Sequence, residues 1–153
     1  MKQEIIMRGQ TASGATEVLE FSGIQIENKN MAYKMTEFTL YPGTNIGGSS
    51  NELVGSVTAS KTAMSPTDPN FDNEGLIATA QYRDNSNDAY QNTPSTSVIN
   101  DHYLVTQNLI LMVQDTAGSS NAVNWQCRFE AVKMNDAAMA ANNFKQYMIS
   151  DGS

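Results

Sequence analysis

The chain is poor in the residues from which most active sites are built. It has one cysteine and one histidine in 153 residues. A single cysteine excludes an intramolecular disulfide, and no Cys/His set is present to hold zinc. Lys and Arg number 9 against 16 Asp and Glu, for a net charge of −7. The cations are scattered, so neither nucleic acid nor an anionic membrane fits as the main partner, because both reward basic patches. No apolar run approaches the roughly 18 residues that span a bilayer. The start, Met1 to Arg8, has no apolar segment of the secretory type, which gives the expectation of cytosolic synthesis without a signal peptide. A phosphate loop, a dinucleotide fingerprint and carboxylates paired at a catalytic spacing are all missing. His102 stands beside Asp101, but no serine has a nucleophile-elbow setting that would make a triad with them. His102 is therefore read as a capping or surface residue. The expectation is a protein that is not an enzyme, with no catalytic residue and no cofactor.

Charged residues make up only 16%, below the usual quarter. Polarity comes instead from Asn, Gln, Ser and Thr, which favour turns and exposed strand faces over helices. The clearest pattern lies between Tyr103 and Met134. Val123, Trp125, Cys127, Phe129 and Ala131 alternate with Asn124, Gln126, Arg128 and Glu130, the period of a strand with one face in a core. That phase places Trp125 and Cys127 inside. Upstream, Tyr103, Val105, Leu109, Leu111 and Val113 share one face, and Leu104, Ile110 and Met112 fall on the other. An arm apolar on both faces predicts a central strand, or one covered by another element or another chain. The connector Thr116 to Asn121 supplies Gly and small polar residues, so the two arms are expected to pair as a long hairpin.

The rest of the chain gives shorter strands: Gln3 to Arg8; Thr16 to Glu27, with a bulge at Ser22-Gly23; Tyr33 to Tyr41, ended by Pro42-Gly43; Glu52 to Ala63; and Leu76 to Arg83. In the third of these, Tyr33, Met35, Thr39 and Tyr41 are read on one side and Phe38 and Leu40 on the other. Met64 to Gly75 and Asp84 to Ser97 are expected to be long surface loops. Asn135-Asp136 can cap a helix running to about 149, with Ala140, Phe144 and Met148 on one stripe. The fold expected for 1–153 is a single all-β domain: an antiparallel β-sandwich, jelly-roll-like, with strands to about 134 and a short C-terminal α-helix. An immunoglobulin-like sandwich is the alternative, although the Cys-Trp-Cys pattern is missing.

Two candidate sites and one candidate interface follow. Asp68, Asn70, Asp72 and Glu74 put oxygen atoms at alternate positions, as calcium loops do, without the Gly and the final acid of an EF-hand. Tyr90, in a polar loop, is the aromatic that a sugar would find exposed. Leu104, Ile110, Met112, Phe144 and Met148 are the apolar side chains that need cover, and so mark a candidate interface.

The low charge, the Asn/Ser/Thr-rich strands, the Gly/Ser loops and the lone cysteine together resemble small structural proteins of tailed-phage virions. So does the passage Arg128-Phe129-Glu130-Ala131-Val132-Lys133-Met134-Asn135-Asp136, a strand running straight into a short helix. The likeness is to capsid decoration (cement) and minor capsid proteins with β-sandwich folds. It implies a virion component made in the host cytoplasm, whose partners are copies of itself and a capsid or other virion protein. A carbohydrate-binding β-sandwich, using Tyr90 and the long loops, is the alternative from another class.

Overall fold

The computed structural model describes residues 3–21, 31–44, 46, 50–59, 62–84, 93–117, 120–135, 138, 141–142 and 145. Among them run eight strands: β1 (Glu4–Thr11), β2 (Thr16–Leu19), β3 (Met31–Pro42), β4 (Asn51–Thr58), β5 (Leu76–Asp84), β6 (Thr93–Ile99), β7 (Leu109–Asp115) and β8 (Val123–Lys133). They form two antiparallel sheets, in the orders β1-β8-β3 and β2-β7-β4-β5-β6. The chain is all-β.

The alternation read in the last third holds at the level of faces. In β8, Val123, Trp125, Cys127 and Phe129 are buried, and in β7 so are Leu109, Leu111 and Val113. The hairpin, however, does not exist. β7 pairs with β2 and β4, while β8 pairs with β1 and β3, so the two arms lie in different sheets and meet only across the core. A period of two tells which face of a strand is buried but not which strand lies beside it. β7 lies between β2 and β4 in its sheet, with Ile110 and Met112 half-buried on its outer face. The stretch 103–108 is not part of it: there Val105 makes an isolated bridge with Tyr33, with backbone bonds of 2.9 and 2.7 Å.

The crossing between the sheets is held by Asp115. Its side chain is buried, and its Oδ1 accepts from the amides of Glu52 (3.2 Å) and Ala117 (3.0 Å). Its Oδ2 accepts from the amide of Asn121 (3.2 Å). A carboxylate at the strand end thus satisfies the backbone donors that the turn would otherwise leave bare.

Three other expectations change. β3 carries a bulge between Met35 and Glu37, which shifts the phase by one residue. Tyr33, Met35, Phe38 and Leu40 are therefore all buried on one side, and Tyr41 is half exposed. The polar stretch Asp84 to Ser97 runs into β6, paired with β5 through Ala80↔Ser97 and Gln81↔Thr96; an edge strand that opens on Thr, Pro and Ser has no apolar period to betray it. The second strand ends at Leu19, and the bulge predicted at Ser22-Gly23 lies outside the described residues.

The ladders are nested: β1 pairs with β8, β2 with β7 and β4 with β5. Between β3 and β6, the edges of the two sheets, the Leu40 amide donates to Ser95 Oγ at 3.0 Å. Both sheets supply one core cluster, where Phe21 stands edge-on to Phe129 (centroids 4.9 Å apart) and tilted to Tyr33 (5.5 Å). Such pairs add to what burial alone contributes.

The helix expected at about 136–149 lies mostly outside the described residues, and so do Phe144 and Met148. The described residues of that segment touch their own chain. Asn135 Oδ1 accepts from the Ala138 amide (2.7 Å), as a cap residue would. Asn142 Nδ2 donates to the Leu104 carbonyl (2.7 Å) and to Thr106 Oγ1 (3.2 Å).

Candidate functional site

The outer faces of the two sheets differ. On the three-stranded sheet the outer face is a polar lattice. Arg128 bridges Glu37 (Nε to Oε2, 3.0 Å) and Glu4 (Nη1 to Oε2, 3.0 Å). Glu37 Oε1 also accepts from Thr39 Oγ1 (2.8 Å) and Gln126 Nε2 (3.2 Å). The Thr39 hydroxyl above all, and then the Arg128 and Gln126 donors, hold the Glu37 carboxyl below its ordinary value against an opposing push from burial. Gln10 and Asn124 continue the lattice with a 3.0 Å bond. The polar groups of Glu4, Glu37, Thr39, Gln126 and Arg128 are thus tied to one another, with Ile6 and Tyr41 half exposed on the same face.

The outer face of the five-stranded sheet is different. At one end Val18 is 56% exposed and lies opposite Ile110; Thr16 lies opposite Met112. On the next strand, Thr58 and Ser56 flank Ile110 and Met112. Ser56 and Thr58 are buried, with Ser56 Oγ donating to the Met64 carbonyl at 2.6 Å, so the loop 62–75 folds over this part of the sheet. At the other end Val98 is 57% exposed, and Phe71, in that same loop, is 66% exposed.

Two grooves flank Val98. One, of about 470 Å³, is lined by Val54, Pro66, Thr67, Thr79, Gln81 and Thr96. The other, of about 430 Å³, is lined by Phe71, Glu74, Ile99, Tyr103 and Lys145. In the second, burial, with the Glu74 charge adding, pushes the Tyr103 phenol up to about 12. Lys145 Nζ lies 6.0 Å from the Tyr103 ring centroid, at the outer limit of a cation–π contact.

The residues singled out in the sequence are scattered. Ile110 and Met112 sit together, half-buried, on the outer face of β7. Leu104 is half-buried outside that strand, its carbonyl held by Asn142. Tyr90 lies outside the described residues. In the stretch 68–74, Asn70 Oδ1 accepts from the Asp72 amide (3.0 Å) and Asn73 Oδ1 from the Gly75 amide (2.8 Å), each closing a turn, and Asp68 Oδ2 accepts from Thr67 Oγ1 (3.0 Å). Among the described residues, no three Asp, Glu, His or Cys side chains converge as metal ligands would. His102 is 97% exposed by side chain, and its Nε2 is 3.9 Å from Asp101 Oδ1, on the surface. Sequence reading misses Val98, because β6 reads as loop. Phe71 carries a usable signal, a large apolar side chain in an otherwise polar loop.

No family model matches the chain, and no curated protein matches it. Among solved structures, a chain titled desmodium yellow mottle tymovirus aligns over 88% of this chain and 89% of its own, at 11% identity and a TM-score of 0.40. A likeness that faint carries no argument about function. No helix among the described residues is long and apolar enough to cross a membrane.

Proposed function

We propose that the chain is a non-enzymatic virion structural protein, a capsid decoration, cement or minor capsid component, built as a jelly roll and working by packing on a protein shell and on copies of itself. The nested pairing of β1 with β8, β2 with β7 and β4 with β5 is the order of a wound antiparallel ribbon, the architecture of jelly rolls. That architecture hosts viral capsid and lectin domains alike, so the fold does not choose the function. The observation that carries the reading is a short apolar strip at one end of the outer face of the five-stranded sheet, where Val18 lies open beside half-buried Ile110 and Met112. The opposite sheet has its polar groups tied to one another. An open apolar strip of this kind is suited to lying on a surface. The test is cosedimentation with shells that lack the chain. Binding that is lost in Val18→Asp, with the thermal transition kept, supports the reading. Failure of the unaltered chain to bind overturns it.

A carbohydrate-binding module is the second reading, and the groove beside Val98 favours it. Thr67, Thr79, Gln81 and Thr96 offer hydroxyl and amide groups over Val54 and Pro66, a mixture that suits a polar ring with one apolar face. A glycan array with and without chelator tests it, and a blank array removes it.

A further inference from the structure

Among the described residues the outer edge of the first strand is unpaired, and its chemistry is complementary to itself. The Ala131 amide donates to the Gln3 carbonyl at 2.9 Å, and the register continues through Ile5↔Phe129 and Met7↔Cys127. In an antiparallel ladder the residues that exchange bonds with a neighbour alternate with those that do not. The odd positions therefore face β8, and the backbone groups of Glu4, Ile6, Arg8 and Gln10 point to the other side. Among the described residues no strand pairs with that side. The side chains of these four residues are exposed on the outer face, Ile6 at 49%, while Ile5 and Met7 pack toward the core.

Exposed edges of this length are usually blunted by proline, by a bulge or by like charges. β1 has no proline, its register with β8 runs without a break, and its two charges are of opposite sign. We propose that β1 pairs antiparallel with β1 of a second copy of this chain, about a two-fold axis at Ile6. In that register Glu4 of each copy lies opposite Arg8 of the other, and the two Ile6 side chains meet at the axis. The even positions then face one another as bonded pairs, which is what the outward-pointing backbone groups require. Sliding the axis to residue 4 or 8 would set Glu4 against Glu4 or Arg8 against Arg8. Charge thus selects the register, as cross-strand pairs do. Glu4 also has Arg128 at 3.0 Å, whereas Arg8 has no carboxylate partner among the described residues. The second copy supplies one. The interface is isologous and closed, joining two three-stranded sheets into one of six.

The inference does not rest on the virion reading. A chain that binds shells as a monomer would overturn it and leave the shell-binding part of that reading standing, and a dimer that binds no shell would do the reverse. The experiment is sedimentation velocity over a concentration series on the full chain, on Arg8→Glu, on Glu4→Lys and on an equimolar mixture of the two variants. The unaltered chain should dimerise, and each variant alone should lose at least about tenfold in association, because like charges then face each other twice. The mixture should recover a heterodimer, because the two acidic side chains on the edge of the Arg8→Glu copy then lie opposite the two basic side chains of the Glu4→Lys copy. A monomeric unaltered chain overturns the proposal, as does an Arg8→Glu variant that dimerises undiminished. If Glu4→Lys fails to fold for want of its Arg128 pair, the unaltered chain and Arg8→Glu decide alone.

Discussion

Trp125 Nε1 and Thr11 Oγ1, 114 positions apart in the sequence, share a buried hydrogen bond of 2.9 Å. Trp125 sits in the core with its indole against Gly9, where an added Cβ would lie 3.0 Å from the ring. The threonine at the end of β1 is therefore the partner that lets a tryptophan be buried there.

Replacing Thr11 with Val removes that partner at nearly constant volume and leaves the indole N–H bare. The expected loss is about 1–3 kcal/mol of unfolding free energy in a denaturant titration. The double variant Thr11→Val, Trp125→Phe should lose less than the sum of the two singles, because each single already breaks the same bond.

Asp115→Ala should cost roughly 2–4 kcal/mol, since the amides of Glu52, Ala117 and Asn121 lose their acceptor at once. Asp115→Asn keeps one acceptor oxygen and should fall between the two. Equilibrium unfolding of the three chains checks the order.

Glu37 gives a pH signature. Its carboxyl is held below the ordinary value of 4.5, first by the Thr39 hydroxyl and then by Arg128 and Gln126. A folded pKa below the unfolded one means stability that is fully present above 4.5 and lost as pH falls through the lower folded value. The thermal midpoint of Glu37→Gln should vary less with pH below that point than the unaltered chain's. Thr39→Val should reproduce much of the flattening. Equal slopes in all three would contradict the assignment.

Cys127 is fully buried, and that burial pushes its thiol far above the ordinary value. It should stay unlabelled by a soluble disulfide reagent in the folded protein and react only as fast as the chain opens. Labelling rates measured along a denaturant series should track unfolding. Rapid labelling in buffer would mean that the core around Phe129 is open to solvent.

The sequence is most legible where one face of a strand is apolar and the other polar. β8 reads to within a residue or two, and the placement of Trp125 and Cys127 in the core follows from the same alternation. Partners are not legible, because Leu109, Leu111 and Val113 demand burial without saying whether β8 lies beside them or across the core. The bulge at Thr36 hides the common face of Met35 and Phe38. β6 escapes because Ser and Thr satisfy an edge strand and a loop equally well. The apolar strip is half legible: Ile110 and Met112 announce themselves, but Val18 joins them only through the ladder of β2 on β7. Asp115 looks like the ordinary end of a strand, and nothing in its neighbours foretells three amides converging on it.

β8 is the only sheet partner of both β1 and β3 among the described residues. On the ribosome, Glu4–Thr11 and Met31–Pro42 therefore wait, unpaired, until the segment ending at Lys133 has emerged. Closing ladders over so long an interval is slow. Meanwhile the edges that β8 will cover stand open to neighbouring nascent chains. The yield of soluble protein should fall as the rate of synthesis rises, and a fragment ending before Val123 should form no three-stranded sheet at all.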